Sequence, residues 1–417
     1  MDVTPTAVDR SVALAARTSV FGLFTLAGLA FAGWASRIAD AKAALGLTPG
    51  QLGATLFALS AGSVLALPLT GRLIERFGVL RVISTALAAA ILGVLVVGAG
   101  VDAMHSRGVV MVGLFVLGLG VGSWDVGMNL EGADVERHLG RAIMPHFHAA
   151  FSGGTVVSAL VGAALSWAGV SVMEHLIGLA VIILVAGFWC LRSLLPHEAT
   201  AAGAAAAHQA TTGAKSTSAW AEPRTLLIGL VVLVAAFTEG TANDWLAVAF
   251  HDGYAMPTWL GVLGFATFLT FMTIGRLVGT TLLDRHGRVP VLRLCFGLAV
   301  AGSALVIFGG PYLAFLGAAI WGVGAALGFP VGMSASADDP TRAAARMSVV
   351  ATIGYAAFIA GPPLLGFLGD HVGVLRSLLV VGAGAILALL LVPSVREPAP
   401  SAIADIPTGA NPAPTIH

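Results

Sequence analysis

Two carboxylates interrupt long apolar runs and set the question of what this chain does. Asp125 stands in "GLGVGSWDVGMNLEG", where Gly118, Gly122, Asp125 and Asn129 recur at helical spacing, so a glycine-lined face ends in an acid and an amide. Glu239 stands in "AAFTEGTANDW", with Asn243 one turn later on the same face and Asp244 beside it. Glu131 follows Asp125 and reads as a surface or loop residue at the end of its run. An ionisable group in hydrocarbon is costly and needs a partner or a task. Two readings fit these acids: taking up a proton on one side and releasing it on the other, or hydrogen-bonding two helices together. His148, in "PHFHAAF", titrates near neutrality and suits either a proton relay or a packing hydrogen bond.

Other chemistries find little support. The histidines are scattered, and "HEAT" at 197–200 lacks the second His of a zinc-protease motif, so no metal site is predicted. No Lys stands in a G-x-x-x-x-G-K setting, and "GLGVG" at 118–122 falls mid-helix with no strand before it, so no nucleotide cofactor is predicted either. Cys190 and Cys295 lie in apolar runs and read as small core residues. The chain therefore does not read as an enzyme.

The elements that hold these residues must sit in lipid. Only 10% of the 417 residues are charged, against about 25% in soluble domains, while 57% are hydrophobic and the mean hydropathy is +0.93. A net charge of zero offers no basic face for nucleic acid. Apolar runs near the length of a bilayer-spanning helix predict spans near 18–37, 51–71, 82–101, 109–131, 147–168, 175–194, 225–247, 257–279, 291–308, 312–334, 347–368 and 376–393. "GGP" at 309–311 divides the long uncharged stretch after Arg293 into two of them. With twelve spans both termini share one side. Placing them in the cytoplasm puts sixteen Arg or Lys on inner segments, Arg141 among them, and four (Arg37, Lys42, Arg107, Arg376) on outer ones, with Arg276 inside a span. The expected partition is a cytoplasmic N-terminus 1–17, a six-helix bundle 18–195, a cytoplasmic linker 196–223, a second bundle 224–393 and a disordered Pro-rich tail 394–417.

The two bundles repeat one another. "GRLIERFGVLR" (71–81) and "LLDRHGRVPVLR" (282–293) align so that Glu75 falls on Asp284, Arg76 on Arg285 and Gly78 on Gly287, each 209 residues apart. "ERHLGR" (136–141) faces "TRAAAR" (341–346), and "HAAF" (148–151) faces "YAAF" (355–358). Internal repeats of this kind mark many transporters.

The pattern G-x-L-x-[D/E]-R-x-G resembles the signature loop of the major facilitator superfamily. Gly71, Leu73, Glu75, Arg76 and Gly78 fill the first copy, with Arg81 after it; Asp284, Arg285 and Gly287 fill the second, with Arg288 after it and Thr280 in place of the first Gly. A Gly turn joining two helices, an acid near another helix's positive N-terminus and arginines at an anionic surface describe an inner latch that forms in one conformation and opens in another. Within the superfamily, "GWASRIAD" (33–40), "WDVGMNLEG" (124–132), "PHFHAAFSGG" (145–154), "TEGTANDW" (238–245) and "GYAAFIAGPPLLGFLGD" (354–370) resemble the YbjJ-like inner-membrane permeases, neighbours of the fucose–proton symporter group, with Ala39 where such proteins carry Pro.

That resemblance implies an all-α polytopic membrane protein of twelve helices in two pseudo-symmetric six-helix bundles. It implies that helices one, four, seven and ten line a central cavity, with Asp125 and Glu239 facing it from opposite halves. Trp34, Trp124, Trp245 and Trp321 fall one on each of these helices. Trp34 and Trp245 read as an outer interfacial belt, and Trp124 and Trp321 as aromatic cavity walls. Arg37 and Asp244 end helices one and seven on the outer side, where two readings stand: an ion pair that closes an outer gate, or two interfacial charges. The predicted function is secondary transport of a small solute by alternating access in a bacterial inner membrane, as a monomer without a cofactor, through proton-coupled symport of a sugar, polyol or similar metabolite. A proton-antiport exporter is the alternative. A non-transporting sensor or an intramembrane enzyme is remote.

Overall fold

In a computed structural model, residues 10–140, 143–195, 218–339 and 342–397 are described. The parts of the expected N-terminus, linker and tail at 1–9, 196–217 and 398–417, and Arg141, lie outside them. All regular structure among the described residues is helical. Twelve helical segments are long and apolar enough to cross a membrane: α1 Arg10–Leu45, α2 Pro49–Phe77, α3 Val79–Ala103, α4 Arg107–Leu139, α5 Met144–Trp167, α6 Val172–Leu191, α7 Pro223–Tyr254, α8 Thr258–His286, α9 Arg288–Phe308, α10 Gly310–Ser336, α11 Ala345–Val372 and α12 Val374–Val395.

Local chemistry fixes the ends. Thr48 and Gln51 form a reciprocal cap at the start of α2, with Pro49 in the first turn, and Ser171 and Glu174 do the same for α6. Three spans are interrupted: α1 turns at Ser36 and Arg37, α10 unwinds at Ala326 and Leu327, and α12 turns at Leu378. Most helices run beyond their predicted limits, because polar residues in a last turn lower hydropathy before hydrogen bonding stops. The matched loop is thereby corrected. Glu75 and Arg76 belong to the last turn of α2, and Asp284 and Arg285 to that of α8. Only Gly78 and Gly287 stand between helices, with φ of 83° and 76°, a region that favours glycine.

The repeat is written in the packing. α3 packs on α4 as α9 packs on α10; α2–α4 matches α8–α10, α1–α5 matches α7–α11, and α3–α6 matches α9–α12. Glycines set these crossings at matched positions. A Cβ on Gly93 would collide with the backbone of Leu117, and one on Gly302 with that of Trp321. Gly113 and Gly120 lie on the Val97 and Ala90 backbone, as Gly317 and Gly324 lie on that of Val306 and Ala299. Small residues let helices approach closely where lipid supplies no hydrophobic drive between them.

The two sets of six meet through α2 with α11 and α5 with α8. Three polar contacts join the sets on the face opposite the termini. Lys42 pairs with Asp252 at 2.9 Å, the Gly50 N–H donates to Asp370 at 3.0 Å, and Ser166 and Thr258 share a hydrogen bond at 3.2 Å. That face is closed.

Candidate functional site

Asp125 and Glu239 stand near the midpoints of α4 and α7. Both are half-buried. On α4, the Asn129 amide donates to the Asp125 carboxylate at 3.2 Å and to the Asp125 carbonyl at 2.8 Å, which holds the acid on one rotamer. On α7, Glu239 accepts from Arg276 of α8: one nitrogen, Nη2, donates to both carboxylate oxygens at 3.0 Å. The Arg276 Nε reaches the Ala326 carbonyl at 3.4 Å, in the unwound step of α10. An ion pair thus joins two helices and leans on the break of a third.

Two further groups connect the halves electrostatically. Asp125 acts on Tyr355 of α11, and Arg276 acts on His148 of α5. His148 is exposed near the start of α5, with its ring edge-on to Phe24 at 5.1 Å. Asp125 and Asn129 thus approach Tyr355, and Glu239 and Arg276 approach His148, which makes two polar groupings, each drawn from both halves. Arg276 and Tyr355 were not among the predicted site residues. The available signal was a lone guanidinium inside an apolar span, which has few ways to persist without a carboxylate nearby.

Other predicted residues fall elsewhere. Asn243 is buried, and its Oδ1 has no partner; no hydrogen bond links it to Glu239. Trp124 and Trp321 are 0% exposed, so they fill helix crossings instead of walling a cavity; Trp321 packs edge-on to Phe268. Trp34 and Trp245 are also buried, not a belt. Glu131, read as a surface residue, is 0% exposed inside α4, which runs eight residues past it, and accepts the Leu195 N–H at 2.6 Å.

The Arg37–Asp244 pair is not made in this structure. Arg37 is 1% exposed at the break in α1, where it donates to Asp40 at 2.8 Å, His175 at 2.9 Å and the Val170 carbonyl at 2.9 Å. Asp244 is ten residues, about 15 Å, short of the end of α7, and lines a small recess with Gly361 and Pro362 of α11. The side chains that do bridge this face are Lys42, Ser166, Thr258, Asp252 and Asp370.

The repeated loop occupies the terminal face. Arg76 stacks over Phe77 at 5.3 Å, and Glu75, Arg76 and Arg81 are exposed, as are Asp284 and Arg285. A Cβ on Gly71 would meet nothing. The second copy is tied within its own half: Arg288 pairs with Asp338 at 2.8 Å, and Glu397 accepts the Arg288 N–H at 2.7 Å. Asp338 also accepts Arg224 at 2.7 Å. Nearby, Glu222 pairs with Arg346 at 2.7 Å and with Arg342. Desolvation works against the Glu222 carboxylate, but the Thr225 hydroxyl and the two guanidiniums outweigh it and hold its pKa below the ordinary 4.5.

Comparison with known proteins decides the family. An uncharacterised MFS-type transporter of Yersinia pestis is 31% identical over 386 residues, which cover 89% of this chain and 93% of the relative. The chain belongs to the Major Facilitator Superfamily. The superfamily's sequence pattern matches residues 240–417. An uncharacterised transporter of Sinorhizobium fredii is 29% identical over 90% of this chain and 96% of its own length. Among solved structures, a variant of the nucleoside transporter NupG superposes with a TM-score of 0.72 at 15% identity, covering 92% of this chain and 99% of its own. The E. coli fucose:proton symporter FucP superposes at 0.61, again at 15% identity, over 92% and 98%. This superfamily member is a multi-pass membrane transporter, not an enzyme, with twelve helices in two pseudo-symmetric bundles.

Proposed function

We propose that the chain is a secondary transporter that couples proton movement to symport of a small, neutral, hydroxylated solute by alternating access. The observation that carries this is the presence of two mid-helix polar groupings, Asp125 with Asn129 on α4 and Glu239 with Arg276 on α7 and α8, each interacting with a group of the other half. Ionisable residues at that depth are expensive and mark ion or substrate pathways. The interiors of the spans hold three carboxylates (Asp125, Glu239 and Asp244) and one guanidinium, Arg276, paired with Glu239, a balance that disfavours anions and offers both donors and acceptors to hydroxyls. The solved neighbours, one named for nucleosides and one for fucose and protons, fit such a solute.

On this reading the membrane is a bacterial inner membrane, and the arginine bias supports cytoplasmic termini. The closed face is then the outer one, and the loops at Gly78 and Gly287 form a latch on the inner face. The protein works as a monomer, one solute path per chain.

The test is uptake by the full chain in liposomes under an imposed pH gradient, with labelled uridine, L-fucose, D-glucose and myo-inositol. Accumulation of at least one, abolished by a protonophore, is expected. Accumulation only under the reversed gradient replaces symport with export by antiport, and no accumulation under either gradient overturns the reading.

A further inference from the structure

Asp244 stands inside α7, partly buried, and makes no hydrogen bond or ion pair among the described residues. An ionisable group within a span is costly and calls for a partner. Around it lies a recess between two helices. Residues 237, 240, 241, 244 and 245 share one face of α7 by their spacing, and residues 357, 358, 361 and 362 share one face of α11. The space between them is about 10 Å³, room for one water-sized group.

The lining has a definite chemistry. Asp244 alone among the lining residues is charged, so its carboxylate meets no cation there. Phe237, Trp245 and Phe358 bring three aromatic rings. Thr241 is 4% exposed, and its hydroxyl makes no hydrogen bond among the described residues. Pro362 and Pro363 have no N–H, so the Phe358 carbonyl lacks a helix donor four or five residues on. A hard metal cation takes about six oxygen ligands, more than one carboxylate, one hydroxyl and one carbonyl supply. A primary ammonium group fits better. Its N–H bonds suit the open acceptors, and its charge suits both the acid and the ring faces.

We propose that the recess between α7 and α11 binds the ammonium head of a primary amine, with Asp244 as its counter-ion. Thr241 and the Phe358 carbonyl accept its remaining N–H bonds, and the aromatic rings flank it. The site stands apart from Asp125 and Glu239 and adds a ligand class to the neutral solute of the transport reading; binding there is independent of that reading. Gly361 sets the room. A Cβ there would meet the Phe237 ring at 3.7 Å, an ordinary contact, so an added methyl group is accommodated and takes up space the ligand needs.

The test is thermal unfolding of the full chain in detergent, with methylammonium, tetramethylammonium or potassium chloride replacing sodium chloride mole for mole. Methylammonium is expected to raise the unfolding temperature saturably, by about 2 °C or more, because a ligand of the folded state stabilises it. Tetramethylammonium has the same charge but no N–H and more bulk than the recess holds, and it is expected to give no rise; potassium likewise. Asp244→Asn removes the counter-ion and Gly361→Ala the room, and each is expected to abolish the methylammonium shift in a folded protein. A flat response in the wild type overturns the proposal, as does a shift that survives either substitution. A fall with all three replacements assigns the recess to sodium and overturns it too. Should Asp244→Asn fail to fold, Gly361→Ala carries the decision. Uptake that fails in liposomes removes the transport reading and leaves this site standing, whereas a flat methylammonium response removes the site alone.

Discussion

The two halves share a scaffold and divide the chemistry. Glycines at 93, 113 and 120 recur at 302, 317 and 324 on the same partners, so one packing solution was kept twice. The polar groups did not follow. The position on α10 that mirrors Asp125, by the 204-residue offset of Gly118 from Gly322, is Phe329. The positions that mirror Glu239 and Arg276, by the 209-residue offset, are Ala30 and Leu67. Close helix approach is a requirement on both halves equally, whereas the mid-helix polar groups differ between them. Symmetry therefore belongs to the packing, and asymmetry to the ionisable groups inside the spans.

The sharpest way to break this comparison is at the crossings. Gly93→Leu and Gly302→Leu both force a side chain into backbone, and each is expected to destabilise the protein by about 3 kcal/mol, the upper end for overpacking. Thermal unfolding in detergent checks it. Effects that differ severalfold between the halves contradict a shared scaffold. The chemistry is expected to behave oppositely, with no matched partner. Asp125→Asn removes the mid-helix carboxylate of the first half, on which the proposed transport depends, and is expected to cut gradient-driven uptake about tenfold, while Phe329→Leu at the mirrored place leaves uptake close to wild type.

The third comparison is between faces. Lys42→Ala removes the ion pair to Asp252 that joins the halves on the closed face. A partly exposed pair contributes about 0.5–1 kcal/mol, so the closed form is expected to lose a few-fold in population, read as faster thiol labelling of a Cys placed at Ser63. The charge swap Lys42→Asp with Asp252→Lys restores it. The smallest effect concerns Glu222. Its pKa is lowered on folding, so the stabilisation is present above the ordinary 4.5 and is lost as pH falls through the depressed value. Glu222→Gln is thus less stable than wild type at neutral pH, and the gap closes in acid; a gap that stays constant with pH shows that the carboxylate charge contributes nothing.

How far the sequence could be read depended on what each feature needs. Twelve spans and the repeat were legible because bilayer thickness and a fixed offset act on the chain directly. Helix ends were not, and that error propagated: α7 continues through His251, Asp252 and Tyr254, so Asp244 is an interior residue and not a terminal one. Trp124 and Trp321 could not be placed from their helices alone, because which way an indole points depends on the rotation of the helix against its neighbours. The Glu239–Arg276 pair lay 37 residues apart on adjacent spans, each residue visible and the contact not. In a membrane chain, an isolated cation and an isolated acid on neighbouring spans are best read together.

Glu131 has a mechanical consequence. By accepting the Leu195 N–H, it fastens the exit of α6 to the very helix that carries Asp125, only six residues, about 9 Å, further along. The first half therefore ends on α4 as well as on α6, and Glu131 couples the register of one helix to the end of the other.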